Sequence, residues 1–390
     1  TDFIAPSFEW PESTILNVTY TRLLPMDVDM TLTYLNSRDE EALYKIVDTG
    51  YPLVGDQPTV PTKKAPDGRP IYNQTGNYSY HAGLYNECCG EREVISATFA
   101  KAFRDGDTFI SISYTGQDAG LMNGMTSSTS NSNFGKTGAV DFNNRVQRRS
   151  IYETEHRFLA TLKSKHYFFG SDKPTTFSLV YTRESGNTKY PTFDTYTGFE
   201  GDYQTKAFGY EFNLNDDSSS LLYIPTRSDP IICYSYKCTD EGSADALARE
   251  EAVLDLLYNV FGLEGYAGQI APRDAGNFPW QTSLDLNIIQ ELPGLRDDDS
   301  FIVTFAIENL LNFLDDGDGI INYGYYSGRI PVIDLRIVDD SKYDYSRNAF
   351  RYSFDDPFNI DRSTTQSLWR ASLGFQYKFC LLYTSDAADD

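Results

Sequence analysis

The segment Asp315-Asp316-Gly317-Asp318-Gly319 is the best candidate for metal chemistry in this chain. Loops that bind hard cations need carboxylates at short spacing and glycines that permit a tight turn. The segment lacks the downstream glutamate that gives such a loop a bidentate ligand. Asp316 and Asp318 are therefore predicted as a candidate Ca²⁺ site, and a solvated acidic loop without an ion is the alternative.

The cysteines are candidates for disulfide chemistry. Cys233 and Cys238 would close a small local loop. In an oxidising compartment, an even number of cysteines favours disulfides, and we predict that these two are bonded. Cys88 and Cys89 are adjacent, so they could form only a strained vicinal bridge or pair with another segment, and both options stay open.

Catalytic chemistry has little support in the sequence. His81, His156 and His166 are far apart, and nothing in their spacing predicts a Ser-His-Asp arrangement. The chain has no phosphate-binding G-x-x-x-x-G-K-[ST] motif and no H-E-x-x-H zinc motif. We therefore predict that the protein is not an enzyme and has no cofactor apart from the candidate Ca²⁺.

The elements that would position these residues are β-strands with one apolar and one polar face. Apolar and polar residues alternate with period two in nine segments of about 9–13 residues, which is typical of half-buried or membrane-spanning strands. Their apolar positions include Leu16/Val18, Leu32/Tyr34, Ile95/Phe99, Ile110/Ile112, Phe158/Leu162, Leu179/Tyr181, Leu284/Leu286, Phe301/Phe305 and Leu373/Phe375.

The connections between these segments alternate between short and long. Short turns are predicted at about residues 25–27, 104–107, 170–174 and 293–300, and long polar segments at about 47–90, 118–155, 186–280 and 313–366. Compact soluble domains rarely contain structureless loops of this length. Short turns on one side and long loops on the other are typical of outer-membrane barrels.

Two ordered elements are predicted inside the long loops. Ser243 can cap a helix whose apolar face would consist of Val253, Leu257, Val260 and Phe261, and Gly262 can end it. We expect this helix to act as a lid or a support rather than as a core helix. A second period-two stretch, from Ile330 to Tyr352, predicts an extracellular hairpin in the last loop.

Composition narrows the class of protein further. The 390 residues carry 33 Lys+Arg and 56 Asp+Glu, for a formal net charge of −23. This charge argues against a nucleic-acid-binding protein, because neutralising phosphates requires cationic clusters. The mean hydropathy is −0.44, and no run of 18 apolar residues occurs, so helical membrane spans are not expected.

Aromatic residues are predicted at both ends of the strands. If Phe379 ends at the periplasm, an outer girdle would contain Tyr34, Tyr114, Tyr181 and Trp369. An inner girdle would contain Phe103, Phe301, Tyr377 and Phe379. Amphipathic rings favour the headgroup level, and barrels have such girdles at both interfaces.

Several motifs resemble the C-terminal barrel portion of TonB-dependent outer-membrane receptors, specifically the Oar-like group. They occur in the expected order over residues 10–379: Trp10-Pro11, residues 66–70 (PDGRP), 150–158 (SIYETEHRF), 221–225 (LLYIP), 268–275 (GQIAPRDA), 309–312 (NLLN) and the final aromatic strand 375–379 (FQYKF).

The resemblance implies an all-β fold: an antiparallel transmembrane β-barrel fragment of about nine strands, forming an open curved sheet with long extracellular loops and one loop helix. Residues 1–379 would be the C-terminal part of a barrel of about 22 strands. The implied function is import of a bound substrate across the outer membrane of a Gram-negative bacterium with TonB-coupled energy. The implied partners are outer-membrane lipid, a missing N-terminal plug and further barrel strands of the same protein, TonB through that plug, and the outer-membrane assembly machinery.

Residues 380–390 resemble translated sequencing adapter, and we predict that they are a non-native tail. Two other functions are compatible with the same pattern. One is a passive outer-membrane porin or adhesin barrel, and the other is a secreted soluble β-sandwich binding module. The membrane interpretation predicts exposure of nine apolar side chains that the sandwich would bury: Leu16, Val18, Leu32, Ile112, Leu179, Leu286, Phe305, Leu373 and Phe375.

Overall fold

A computed structural model gives the fold of most of the chain. It describes residues 2–40, 42–48, 63–71, 81–87, 90–122, 138–141, 144–170, 173–193, 198–199, 221–235, 238, 240–296, 299–322, 329–338, 349–353 and 364–379. Cys88, Cys89 and the tail 380–390 lie outside the described residues.

Nine long strands form one antiparallel sheet in chain order. They are β1 Glu12–Leu24, β2 Val28–Glu40, β3 Gly90–Phe103, β4 Thr108–Leu121, β5 His156–His166, β6 Thr175–Glu184, β7 Gln281–Pro293, β8 Ser300–Glu308 and β9 Arg370–Lys378. A tenth strand, Arg148–Arg149, pairs with the end of β4. The predicted all-β fold with an antiparallel meander is confirmed, and the sheet is open because β1 and β9 do not pair with each other.

Tight turns join the strands in pairs at one end of the sheet. Met26 and Asp27 adopt left-handed backbone conformations between β1 and β2, and Gly106 has a φ of 95° between β3 and β4. Glycine adopts that φ without a steric penalty. Because adjacent strands are antiparallel, all four short turns lie at one end and all four long connections leave from the other.

The long connections contain short strands and helices. The strands are Asp2–Ile4, Ala42–Asp48 and His81–Glu87 in one sheet; Lys63–Lys64 with Pro70–Ile71; Tyr223–Ile224 with Gln269–Ile270; and Thr188–Phe193, Gly198–Phe199, Ile232–Cys233, Gly276–Asn277, Arg329–Val338 and Ala349–Ser353 in a six-stranded sheet. The helices are α1 Ala244–Asp255, which continues as a π-helix at Leu256–Val260, α2 Leu310–Leu314, α3 Thr364–Ser367, and the 3₁₀ turns Arg104–Gly106 and Glu264–Tyr266.

The predicted loop helix forms with the expected ends but with a changed apolar face. The Ser243 hydroxyl accepts a hydrogen bond from the Ala246 amide at 3.2 Å, and Gly262 follows with a φ of 71°. Leu257 is fully buried, whereas Val260 is 52% exposed. The assignment of Val260 to the buried face was wrong because the final turn is a π-helix, which rotates later residues relative to an α-helix.

The main hydrophobic core of the described residues lies in the long connections and not in the ten-stranded sheet. We call this body the cap: it comprises Ala65, the described residues between 221 and 278, Ile333 and Tyr352. Its buried side chains include Leu222, Ile224, Ile232, Val253, Leu257, Leu263 and Phe278. The loop helix therefore contributes to a core, which differs from the expected lid or support. The predicted hairpin also forms, with Arg329–Val338 antiparallel to Ala349–Ser353.

Candidate functional surface

One face of the ten-stranded sheet is continuously apolar. Strand register places Ile112 of β4 opposite Phe99 of β3 and Ala160 of β5, so alternate residues of neighbouring strands lie side by side. The same register extends across all nine long strands. We call this apolar face the belt: Leu16, Val18, Leu32, Ile95, Phe99, Ile110, Ile112, Phe158, Leu162, Leu179, Leu286, Phe305, Leu373 and Phe375.

The belt is exposed rather than packed against another layer. Ile112 is 56% exposed and Phe375 is 65% exposed. Of the nine side chains predicted to be exposed, seven are exposed; Leu179 and Leu286 are half-buried. None of the nine is buried, so no protein layer among the described residues covers the belt.

The opposite face of the sheet is polar. Hydroxyl groups pair across neighbouring strands, with 2.9 Å between Thr98 and Ser113. Ion pairs join Arg157 to Glu184 at 3.5 Å, and Glu308 and Arg370 at 3.2 Å. Similar contacts join Thr19 to Thr33 and Ser96 to Thr115. The two faces of the sheet therefore differ in polarity, and the polar face is suited to contact with water.

Three of the residues predicted in the inner girdle lie at the end with the short turns. Phe103 ends β3, and Phe301 of β8 stacks on Phe375 with ring centroids 5.9 Å apart. The Tyr377 hydroxyl donates to Asp299 at 2.6 Å. The fourth, Phe379, directly follows β9 and is 65% exposed.

The residues predicted in the outer girdle occupy two levels. Trp369 lies just before β9 at the end with the long connections, and its ring packs against Phe313 at 4.9 Å. The other three, Tyr34, Tyr114 and Tyr181, are on the belt side. They lie inside β2, β4 and β6 and not at the strand ends, because each strand continues beyond its tyrosine. Their placement at a membrane interface stays a prediction.

A groove on the belt side gathers aromatic side chains from three strands and one connection. We call it the aromatic groove; its volume is about 850 Å³. Its lining includes Ile112, Tyr114, His156, Phe158, Ala160, Tyr181, Arg183 and Trp280. The His156 ring stacks on Trp280 with an interplanar angle of 7° and a centroid distance of 5.9 Å. The Arg183 guanidinium lies over the same indole, 5.4 Å from its centroid.

Sequence patterns alone did not identify this groove. Trp280 immediately precedes β7, and Arg183 lies near the end of β6. The available signal for Trp280 was a tryptophan, one of three in the chain, directly before a strand with period-two alternation. No local pattern predicts that it meets Arg183, because β6 and β7 are separated by a long connection.

A partly buried polar network attaches the connections to the sheet. Arg149 donates to Asn277 at 2.9 Å and forms ion pairs with Glu153 and Glu155. Glu153 is 3% exposed, and its carboxylate also accepts from the Ala119 amide at 2.6 Å. Charged hydrogen bonds of this kind compensate for burial of the carboxylate.

Arg273 forms a second attachment between the cap and the sheet. Its side chain is almost fully buried and donates to the carbonyl of Met122 at 3.0 Å and to that of Leu121. These carbonyls lie where β4 ends, so Arg273 ties the cap to the end of this strand. Arg273 belongs to the motif at residues 268–275.

Inside the cap, tyrosine hydroxyls satisfy buried acceptors. Tyr352 donates to the Tyr223 carbonyl at 2.8 Å, and Tyr223 donates to Asp229 at 2.9 Å. Burial raises the pKa of Tyr352 well above its ordinary value. Burial, together with the hydrogen bond to Asp229, also raises the pKa of Tyr223. Both phenols are therefore neutral donors at physiological pH.

The structure joins Cys233 and Cys238 by a disulfide, with Cα atoms 5.3 Å apart. The Glu241 carboxylate accepts from the Tyr234 amide at 2.9 Å and from the Ser235 hydroxyl at 2.6 Å, which holds the same loop. Cys233, Cys238 and Glu241 are the one group of three His, Cys, Asp or Glu residues whose ligand atoms converge within the described residues. Bonded cysteines are not thiolate ligands.

The candidate Ca²⁺ loop is ordered by asparagine side chains. The amide group of Asn312 donates to the carbonyls of Asp316 at 3.3 Å and Asp318 at 3.0 Å. Asn309 likewise donates to the Gly319 carbonyl at 2.9 Å. The residues Asp316 and Asp318 are exposed, and the Ca²⁺ assignment stays a prediction.

The histidines are separated in the fold as in the sequence. His156 begins β5, His166 ends it, and His81 begins a short strand. The His156 Nδ1 atom lies 2.9 Å from the Tyr114 hydroxyl, and the His166 Nε2 atom lies 3.0 Å from the Ser164 hydroxyl.

No helix in the described parts of the chain has the length and apolar character needed to cross a bilayer. The chain matches neither a protein-family model nor a curated protein.

Proposed function

We propose that the ten-stranded sheet is part of a transmembrane β-barrel in the outer membrane of a Gram-negative bacterium, with the belt facing lipid. The observation that carries this proposal is the exposed belt, which is continuous in register over nine strands and backed by a polar face. An apolar surface of this extent is rare on a water-soluble protein. Lipid-facing strands of barrels alternate apolar-out and polar-in in the same way.

The height of the belt also supports this proposal. Residues from Trp369 to Tyr377 cover about 27 Å along the strand at ~3.4 Å per residue. A strand tilt of ~40° reduces that length to about 20 Å along the membrane normal, near the ~25 Å of apolar surface in known barrels. Aromatic side chains at both ends fit the two interfaces.

The two edge strands support a larger barrel. Among the described residues, nothing pairs with the outer edges of β1 and β9. Such edges expose backbone donors and acceptors, which are very unfavourable in hydrocarbon. We propose that further strands of the same protein pair with Glu12–Leu24 and Arg370–Lys378 and close the barrel. In this arrangement, the short turns face the periplasm and the cap lies outside the cell.

Within this class, we propose a receptor-transporter that imports a bound substrate with TonB-coupled energy. The ordered motifs at residues 10–379 support it, and three of them form structural attachments here. Residues 150–158 hold the buried Glu153, residues 268–275 hold Arg273, and residues 309–312 order the acidic loop. A plug and a TonB-contacting segment would be required partners, with the assembly machinery acting on the aromatic final strand.

Lipid exposure of the belt can be tested with tryptophan as a reporter. In the complete gene product with its native tryptophans replaced by phenylalanine, Phe305→Trp places an indole on the belt and Thr304→Trp places one on the polar face. In vesicles of phosphatidylcholine brominated in mid-chain, we expect strong quenching of the first variant and weak quenching of the second. Equal quenching would contradict the assignment of the two faces.

Energy coupling requires a separate test. The complete gene product in detergent should bind the purified periplasmic domain of TonB from the same genome. Absence of binding would contradict the transporter proposal, while the quenching experiment could still support a passive porin or adhesin barrel.

A further inference from the structure

The aromatic groove combines an apolar floor with one cationic edge. Ile112 and Ala160 lie opposite each other on β4 and β5, and Tyr181 is the cross-strand neighbour of Ala160 on β6. Arg183 lies two residues beyond Tyr181, so it is on the same face but nearer to the long connections. The groove therefore changes from apolar to cationic in the direction from the belt to the end of the strand.

Arg183 and Arg157 lie on opposite faces of the sheet and have different partners. Arg157 points to the polar face, where Glu184 lies 3.5 Å away. Arg183 has no carboxylate within ion-pair distance among the described residues. Its guanidinium lies over the Trp280 ring instead. An exposed guanidinium over an indole keeps most of its donors available.

The aromatic side chains form the walls of the groove. The ring centroids of Tyr114 and Phe158 are 4.9 Å apart, and Trp280 stacks on His156. The hydroxyl of Tyr114 is hydrogen-bonded to His156, so the polar atoms of these rings are partly satisfied by each other. Aromatic residues of this kind favour the boundary between hydrocarbon and headgroups.

We propose that the aromatic groove is a binding site for an anionic, phosphate-bearing lipid of the outer leaflet, with an acyl chain along Ile112, Ala160 and Tyr181 and a lipid phosphate on Arg183. The proposal rests on the proposed function, because the groove must open to a bilayer. An arginine fork matches phosphate oxygens and an apolar floor matches an acyl chain. The net charge of −23 would repel anionic lipid at long range, so any preference must arise from a local cation such as Arg183.

The native Trp280 can report on this lipid. The complete gene product with Trp10→Phe and Trp369→Phe keeps Trp280 as its reporter within this chain, and any upstream tryptophan is also replaced. Brominated phosphatidylglycerol serves as the probe for an anionic lipid phosphate. Two sets of phosphatidylcholine vesicles would be compared, one with a small fraction of brominated phosphatidylglycerol and the other with the same fraction of brominated phosphatidylcholine. We expect about fivefold enrichment of the anionic lipid beside Trp280, the ratio expected for one arginine near a charged lipid.

Variants of the two arginines provide the control. Arg183→Met should abolish the preference for brominated phosphatidylglycerol, Arg183→Lys should retain part of it, and Arg157→Met on the opposite face should leave it unchanged. Equal quenching of Trp280 by the two lipids, or a preference that survives Arg183→Met, would overturn the proposal. If neither lipid quenches Trp280, the proposal also fails. The Phe305→Trp experiment then decides independently whether the belt faces lipid.

Discussion

Replacing Ile112 with arginine would test whether the belt faces hydrocarbon. Ile112 is 56% exposed and lies at the centre of the apolar stretch of β4, between Ile110 and Tyr114. On a water-exposed surface, such a change alters stability by no more than about 0.5 kcal/mol. On the lipid face near the midplane of a bilayer, arginine costs about 2–4 kcal/mol.

A cost of about 2–4 kcal/mol corresponds to a fall of about 30- to 700-fold in the ratio of folded to unfolded protein, since ~1.4 kcal/mol is a factor of ten. The matched control is Ser111→Arg, because Ser111 precedes Ile112 on the same strand and lies on the polar face. We expect Ser111→Arg to change stability by less than about 1 kcal/mol.

The assay is urea-dependent folding of the complete gene product into phosphatidylcholine vesicles, followed by the heat-modifiable band on a gel. Equal urea midpoints for Ile112→Arg and Ser111→Arg would refute the assignment of the belt to lipid. A protein that folds as a monomer without lipid or detergent would refute it as well.

Three further predictions concern the cap and its attachment. Leu257→Ala should destabilise the cap by about 2–5 kcal/mol because it empties a fully buried site. Val260→Ala, on the exposed side of the same turn, should change stability by no more than about 0.5 kcal/mol. Hydrogen exchange of the cap measures both effects, and similar values would contradict the packing of the π-helix. Arg273→Met should cost about 1–3 kcal/mol and speed amide exchange where β4 meets the cap, since the buried Met122 carbonyl and the partly buried Leu121 carbonyl lose this donor. Unchanged exchange would mean that this arginine does not hold the cap. Replacing Cys233 and Cys238 with serine should lower cap stability by about 2 kcal/mol, as expected for a very short disulfide loop, and dithiothreitol should destabilise the native protein but not this variant.

The strands could be predicted from the sequence because period-two alternation is a local property of extended backbone. It placed Ile112, Phe305 and Leu373 on one face, and the strand register confirms that placement. The alternation of short and long connections similarly predicted which end of the sheet carries the turns. Ser243 and Gly262 predicted the ends of the helix, because caps depend on residues adjacent to the helix.

Tertiary structure decided the features that depend on contacts between distant segments. Within the long connections, Ile232–Cys233 pairs with Ala349–Ser353, and Thr188–Phe193 pairs with Arg329–Val338. The alternation from Ile330 to Tyr352 predicted the hairpin but not these pairings, because they join segments that are distant in the sequence. The exposure of Val260 depends on a π turn that no simple period predicts.

The meeting of Arg183 and Trp280 is the clearest example of a feature decided by the fold. Pairing of β6 with β7 brings Arg183 opposite Thr282, close to Trp280, across a connection of nearly one hundred residues. The sequence determined the alternation that makes each strand two-faced, because that depends on neighbouring residues. The tertiary structure determined which cation reaches which ring, because that depends on how two distant strands pair.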